Sequence, residues 1–374
     1  MTHESLDVTL VAEQLWQPVP GGSGTYIREL ASALVARGDV ALRAVRAAGP
    51  QGDGHGLPAS VPIDQSRLPR AALYEAWTRW RLPRVPGPRP QVLHATTWAV
   101  PPRSAPLVVT VHDLAFRRSP EHFTPRGVAF FERALTATRR DADAVIVPSL
   151  ATRDDAVAAG VDPSRLHVIA HGVSAAPVDE AAATAFRARH GITRPYVLWC
   201  GAIEPRKNLG VLLDAFSRLV EETDLDLVLV GPDGWGGAAQ DLRARRAALP
   251  ADRVHVLGAV SWRELQEAYA AARVFCFPSL WEGFGMPVLE AQAHGVPVVT
   301  SRGTSMAEVV GGGAVLIDPL DADDVAAGIQ VAVGPAHGDL AAAARANAAA
   351  YTWERSAEQH VTAYRAALSH ARAS

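Results

Sequence analysis

The chain has 374 residues, more than one hydrophobic core usually serves, so two domains of about 150–200 residues each are expected. Hydrophobic residues make up 48% and charged residues 20%, a balance that excludes a disordered or fibrous chain. A formal net charge of −3 argues against a nucleic-acid binder held by bulk electrostatics. Cys200 and Cys276 lie inside apolar, strand-like runs and offer neither a disulfide framework nor a zinc spacing, so both read as buried reduced thiols. The N-terminal stretch has no basic segment leading into a long apolar core, and apolar runs elsewhere are strand-length. This predicts neither a signal peptide nor a spanning helix, and a cytoplasmic protein able to touch the inner face of a membrane.

In chain order, an apolar run at 8–12 predicts a strand and a helical period at 25–37 predicts a helix. Between them the PVPGGSG loop at 18–24 sets Gly22 and Gly24 close together. A third glycine in the dinucleotide spacing would fall at Ile27, so an NAD site is unlike this pattern. The glycines either bring backbone N–H groups to a phosphate or sugar, or form a plain flexible loop. A strand is expected at 40–45 and a Gly-rich loop at 49–60. Residues 66–90 mix arginine, proline and aromatics, with Leu73, Tyr74, Trp77 and Trp80 spaced along one helical face; they pack on the domain or lie against a membrane.

Short strands are expected at 92–95 and 107–111, the second followed by His112-Asp113, just where α/β sheets bind ligands. A helix at 130–140, a strand at 144–147, a helix at 151–159 and a strand at 166–170 ending in His171-Gly172 follow. The pattern weakens at 174–195 apart from a short Ala-rich helical piece, which predicts a linker at 176–194. Alternation then restarts with strands at 196–200, 225–230, 254–257, 274–277 and 296–300. The intervening helices fall at 209–220, 238–248, 262–272 and 286–294. A final helix at 340–372 breaks near Tyr351-Thr352-Trp353, which would let 352–374 return to the first domain. The expectation is an α/β fold of two parallel-sheet domains, 1–175 and 195–351, whose strand ends face a cleft.

Of the 36 basic residues only Lys207 is lysine. Where arginine replaces lysine this thoroughly, the survivor points to a place that needs a compact, movable ammonium. It stands in Glu204-Pro205-Arg206-Lys207-Asn208, directly after a strand and before a helix, a setting in which arginine clamps two oxygens of a diphosphate and lysine adds a point charge. Farther on, PSLWEGFGMPVLEAQAHG at 278–295 sets Glu282 and Glu290 on either side of a Gly-rich turn that opens a helix.

GAIEPRKNL at 201–209, PSLWEGFGMPVLEAQAHGVPVV at 278–299, HGV at 171–173, HD at 112–113 and PGGSGTY at 20–26 together resemble the retaining GT-B glycosyltransferases of family 4, bacterial mannosyltransferases among them. The resemblance spans almost the whole chain. It implies two Rossmann-like domains, with an acceptor-side domain first and a donor-binding domain second. It implies that Arg206 and Lys207 hold the donor diphosphate and Glu290 takes the ribose hydroxyls. Glu282, with the N–H groups of Phe284, Gly285 and Met286, would hold the sugar. Gly22 and His112 would act from the other domain, and Val260 would touch the base. Many members carry arginine directly after the glycine that is Gly201 here; this chain has Ala202, so Arg206 has to supply that contact.

The implied activity is retaining transfer of a hexose, mannose from GDP-mannose as first choice, to a glycan or lipid-linked acceptor in cell-surface polysaccharide or glycoconjugate synthesis. No cofactor and no metal are implied, which agrees with acidic pairs such as Asp141 and Asp143 reading as element ends. The catalytic set would be His112, Glu282, Arg206 and Lys207. Two alternatives stand beside it: a non-catalytic sugar-nucleotide-binding or assembly protein of the same fold, and a sugar-nucleotide epimerase of GT-B type.

Overall fold

The computed structural model describes residues 5–50, 55–232 and 244–373. The chain divides into two compact units, Met1–Gly172 with Thr352–Ser374, and Val173–Tyr351. Among the described residues the first unit carries a seven-stranded sheet and the second a six-stranded sheet, and every pairing in both is parallel.

In the first unit the strands are β1 (Leu6–Val11), β2 (Val40–Ala48), β3 (Ile63–Pro69), β4 (Val92–Ala95), β5 (Leu107–Thr110), β6 (Ala144–Val147) and β7 (Leu166–Val168). They lie in the order β3-β2-β1-β4-β5-β6-β7. The second unit contributes β8 (Tyr196–Cys200), β9 (Asp226–Val230), β10 (Val254–Gly258), β11 (Val274–Phe277), β12 (Val298–Ser301) and β13 (Ala314–Ile317), ordered β10-β9-β8-β11-β12-β13. In each sheet the winding reverses at the unit's first strand, between β1 and β4 and between β8 and β11. A doubly wound sheet leaves a crevice there, outside the carboxyl ends of the two strands, and ligands bind in it.

The central strands are apolar on both faces because helices cover both: every residue of β4, β5, β6, β8, β9, β11 and β12 is buried. The edge strand β3 is different. Its sequence IDQSRLP alternates without an apolar run and leaves most of its side chains in contact with solvent, which is why no strand is predicted from it. β13 and the helix Ala322–Val333 after it also escape prediction.

The segment expected as a linker, 176–194, belongs to the second unit, and the short Ala-rich helical piece expected within it is present. This is the helix Glu180–Arg189, capped by Asp179, whose side chain accepts from the Ala182 N–H. Phe186 from this helix is fully buried in the second unit's core, a burial that stabilises by about 2 kcal/mol and fixes the segment to that unit. The final helix does break as expected, into His337–Ala348 and Trp353–Ala373. Trp353, Ala357, Val361, Tyr364 and Ala367 bury one face against Tyr26, Ile27 and Leu30 of the helix Gly21–Arg37, so the C-terminal helix is part of the first unit's core. The helix predicted at 238–248 has residues 238–243 outside the described residues, as are 51–54 of the Gly-rich loop.

Leu73 and Trp77 are fully buried in the first unit and Tyr74 stacks on Phe130, so most of the aromatic face at 66–90 packs inward. Trp80 and Leu82 stand out from it, 69% and 61% exposed. Among the described residues no helix is long and apolar enough to cross a membrane.

Candidate active site

At the switch point of the second unit, β8 leads into Gly201 and the short turn Pro205–Lys207, while β11 leads into the loop that carries Glu282. The two exits are tied together by their backbones, the Leu280 N–H donating to the Arg206 carbonyl at 2.9 Å. Close approach of the chains is built in at the neighbouring exit: a Cβ on Gly231 would lie 1.9 Å from the Gly201 carbonyl oxygen, so only glycine fits.

This geometry gathers the predicted charges. The Lys207 Nζ donates to the Oε1 of Glu282 at 2.6 Å, and the Arg206 Nη1 approaches the same oxygen at 2.7 Å while donating to the Trp281 carbonyl at 2.7 Å. Glu204 lies 3.4 Å from the Arg206 Nη2. The Lys207 ammonium also sits 4.6 Å from the centre of the Phe277 ring, an attraction available to a compact cation over an aromatic face. Burial alone would raise the pKa of Glu282. The charges of Arg206 and Lys207 outweigh it and hold the carboxyl down at about 2, so it is ionised at neutral pH. The loop is held from below by Ser305, whose hydroxyl donates to the Glu282 carbonyl at 2.6 Å.

The helix Met286–Ala293 begins right after this loop. Its N-cap, Gly285, has φ +97, a left-handed conformation in which a Cβ would also meet the Met306 side chain at 2.8 Å. Pro287 sits in the first turn, where its missing N–H costs no hydrogen bond. Glu290 follows one turn on. Burial shifts its pKa upward, partly offset by the hydrogen bond it accepts from the Tyr269 hydroxyl, 2.9 Å from Oε2. Phe284 is buried, its ring edge-on to Tyr351, while Met286 is half-buried. Val260 lies just past β10, packed against the core at the sheet's outer edge.

Gly22 and His112 belong to the first unit. The helix expected from residue 25 starts earlier, at Gly21: the Gly24 N–H already donates to the Pro20 carbonyl at 3.1 Å, which places Gly22 in the exposed first turn and not in a flexible loop. One turn on, the Tyr26 ring meets His112 edge-on, with centres 4.9 Å apart, and His171 at 4.8 Å. The His112 Nε2 is 2.9 Å from the Thr96 carbonyl. A carbonyl only accepts, so Nε2 carries the proton and Nδ1 is left as an acceptor. Burial lowers the pKa of His112, against the opposing pull of that carbonyl and of Asp113, which favours the neutral ring.

Behind His112 runs a buried hydrogen-bond chain that the sequence did not reveal. The His360 Nδ1 is 2.7 Å from the Ser356 carbonyl and so must donate to it, leaving Nε2 to accept from the Tyr26 hydroxyl at 2.8 Å. Tyr26 then accepts from Thr110 at 2.9 Å, Thr110 from the His94 Nε2 at 2.8 Å, and the His94 Nδ1 from Tyr364 at 2.8 Å. One carbonyl thereby orders every proton in the chain, provided both histidines are neutral. Burial pushes His360 down to about 4 and His94 and His171 well below the ordinary value. The signal for it was the pairing of His360 with Tyr364 one turn apart on a helix face otherwise made of Trp353, Ala357 and Val361.

Among the described residues no group of three or more His, Cys, Asp or Glu is placed to hold a metal ion. Cys200 and Cys276 are free and buried.

Residues 20–177 match the model of Glycosyltransferase Family 4, and residues 194–333 match that of Glycosyl transferases group 1. The chain is 31% identical over 282 residues to the O-antigen chain mannosyltransferase B of Escherichia coli, covering 73% of this chain and 74% of that one. It is 34% identical over 285 residues to the D-inositol 3-phosphate glycosyltransferase of Geodermatophilus obscurus, covering 71% of this chain and 62% of that one. In fold it is similar to Anabaena HepE, solved in complex with UDP and glucose, with a TM-score of 0.73, 19% identity, and coverage of 96% of this chain and 98% of that one.

Proposed function

The chain belongs to glycosyltransferase family 4 and has the GT-B fold, and from that premise we propose that it transfers a hexose from a nucleotide sugar to a glycan or lipid-linked acceptor with retention of anomeric configuration. The observation that carries this reading is the Arg206–Glu282–Lys207 constellation at the switch point of the second unit, with Glu290 on the helix that follows.

Two cations already satisfied by a carboxylate can exchange it for a stronger partner. On donor binding, Lys207 and Arg206 turn from Glu282 to the diphosphate, and Glu282, ionised throughout, is released to accept a hydroxyl from the sugar. The N-terminus of the helix Met286–Ala293 adds backbone donors near Gly285 and Met286, and Glu290 accepts from the ribose hydroxyls. As the bond from the anomeric carbon to the β-phosphate oxygen breaks, negative charge grows on the phosphate and the sugar becomes oxocarbenium-like. Fixed cations stabilise that charge more than they stabilise the bound donor, which is what accelerates the step. From the first unit we assign the first-turn amide of Gly22 to the phosphate, and the free acceptor nitrogen of His112 to a sugar hydroxyl. The chemistry asks for neither a metal nor a general acid, because the diphosphate is itself a good leaving group.

GDP-mannose is our first choice of donor, supported by the mannosyltransferase among the relatives, and synthesis of cell-surface polysaccharide or glycoconjugate is the corresponding role. We place the protein in the cytoplasm, at the inner face of the membrane. Exposed Trp80 and Leu82 in the arginine-rich segment 66–90 support contact with a lipid surface.

A thermal-shift screen with GDP, UDP, dTDP and ADP, followed by a transfer assay with the sugar donor of the base selected, tests the proposal. A rise in melting temperature with GDP and an α-linked product from an α-linked donor are expected. Stabilisation by UDP alone would reassign the base, and no response to any of the four would contradict the reading.

A further inference from the structure

Tyr269 is a buried polar side chain beside the second unit's switch point that takes no part in the transfer as derived so far. It lies on the helix Trp262–Ala271 and is fully buried. Its ring packs edge-on to Phe275 at 5.5 Å and stacks with His294 at 6.1 Å. Phenylalanine would fill that space equally well, so packing does not account for the hydroxyl. A buried phenol needs partners, and this one has two: the Glu290 Oε2 at 2.9 Å and the Cys200 Sγ at 2.8 Å.

The two contacts have a direction. The carboxylate only accepts, so the phenol proton goes to Glu290, and the Cys200 thiol donates to the phenol oxygen. Cys200 is the last residue of β8, immediately before the loop of Arg206 and Lys207, whereas Glu290 is on the helix that follows β11. The Tyr269 hydroxyl therefore joins the two sides of the switch point from within the core. Glu290 makes no other side-chain hydrogen bond among the described residues, so this one contact fixes which carboxylate oxygen faces inward and leaves Oε1 as the acceptor for a ligand.

We propose that Tyr269 is a positioning residue for the donor, holding Glu290 by Oε2 so that Oε1 meets the vicinal hydroxyls of a nucleoside diphosphate's ribose. The inference rests on the reading of Glu290 as the ribose acceptor. A glutamate side chain has three rotatable bonds, and an unheld one spends most of its time elsewhere, so the hydroxyl acts through geometry and not by touching the ligand.

The test compares binding of a nucleoside diphosphate, whichever of GDP, UDP and ADP wild type binds best, with binding of its 2′,3′-dideoxy form. Wild type is expected to favour the ribose form by about tenfold or more. In Tyr269→Phe that preference falls to within about twofold, while affinity for the dideoxy form is unchanged. Cys200→Ala, which frees the phenol on its other side, lowers the preference by a few-fold and serves if Tyr269→Phe does not fold. A preference retained in full in the variants overturns the inference, as does an equal loss of affinity for both nucleotides, the mark of a merely structural role. Wild type that binds a nucleoside diphosphate with no ribose preference sinks the assignment of Glu290. Wild type that binds none of the three sinks the donor reading itself.

Discussion

The two units each bury a group of polar side chains and resolve the cost in opposite ways. In the second unit Glu282, Arg206 and Lys207 remain charged and neutralise one another, the carboxyl held down at about 2. In the first unit His94, His171 and His360 give up their charge, and a single carbonyl orders the protons of the chain through Tyr26 and Thr110. Charges that compensate each other can be handed to an incoming anion, which suits a site that stabilises a leaving diphosphate. A neutral, proton-ordered chain has nothing to hand over. It suits rigidity, and here it fastens the C-terminal helix Trp353–Ala373 to β4, β5 and the helix Gly21–Arg37 while steadying the ring of His112.

Glu282→Ala breaks the comparison most severely, because it leaves two half-buried cations side by side without their carboxylate. A loss of about 3 kcal/mol in unfolding free energy is expected by urea titration, partly restored by added pyrophosphate. A loss below about 1 kcal/mol would mean that the pair is effectively solvated.

Acid should separate the units by nearly as much. His360 has a folded pKa near 4 against an ordinary 6.5, so the unfolded chain takes up its proton first as pH falls. The stability it contributes is complete above about 6.5 and is lost progressively toward 4, amounting to about 3 kcal/mol, with His94 and His171 shifted in the same direction. The lowered pKa of Glu282 puts its loss below the ordinary carboxylate value of 4.5. Protection of amides, measured relative to the intrinsic exchange rate at each pH, should therefore fall on going from pH 7 to pH 5 in the helix Trp353–Ala373 before it does in β8 and β11. A uniform fall in protection across both units would refute the contrast.

Tyr26→Phe is the mildest break. It interrupts the chain between His360 and Thr110 at constant ring packing, with an expected cost of 1–2 kcal/mol, about that of an unmade buried hydrogen bond, and a higher pH for the acid transition.

Much of this was legible in the sequence where burial is complete on both sides. The strands at 92–95, 144–147, 196–200 and 274–277 are found with their bounds intact, because a short apolar run ending sharply in polar or glycine residues has few other ways to fold. β3, half-exposed at the sheet edge, carries no such run, and Glu180–Arg189, legible as a short helix, passes for part of a linker because Phe186 is its one large anchor. In the site, Lys207 stands out by being alone of its kind, and the Glu282–Glu290 spacing survives folding because one turn and one helix carry both. Tyr269, His94 and His360 were not legible. Their partners lie on other elements, 21 residues away for Tyr269 and 334 for the His360–Tyr26 pair, and an aromatic on an amphipathic helix reads as core until its hydroxyl or ring nitrogen is seen to have a destination.

The central claim, that the paired cations of the second unit exist to hold a leaving diphosphate, is tested most directly by sugar transfer in Lys207→Ala. Glu282 keeps Arg206 in that variant, so the fold should hold within a few degrees of melting temperature while turnover falls by about three orders of magnitude. Turnover equal to wild type in a folded Lys207→Ala protein would contradict the account.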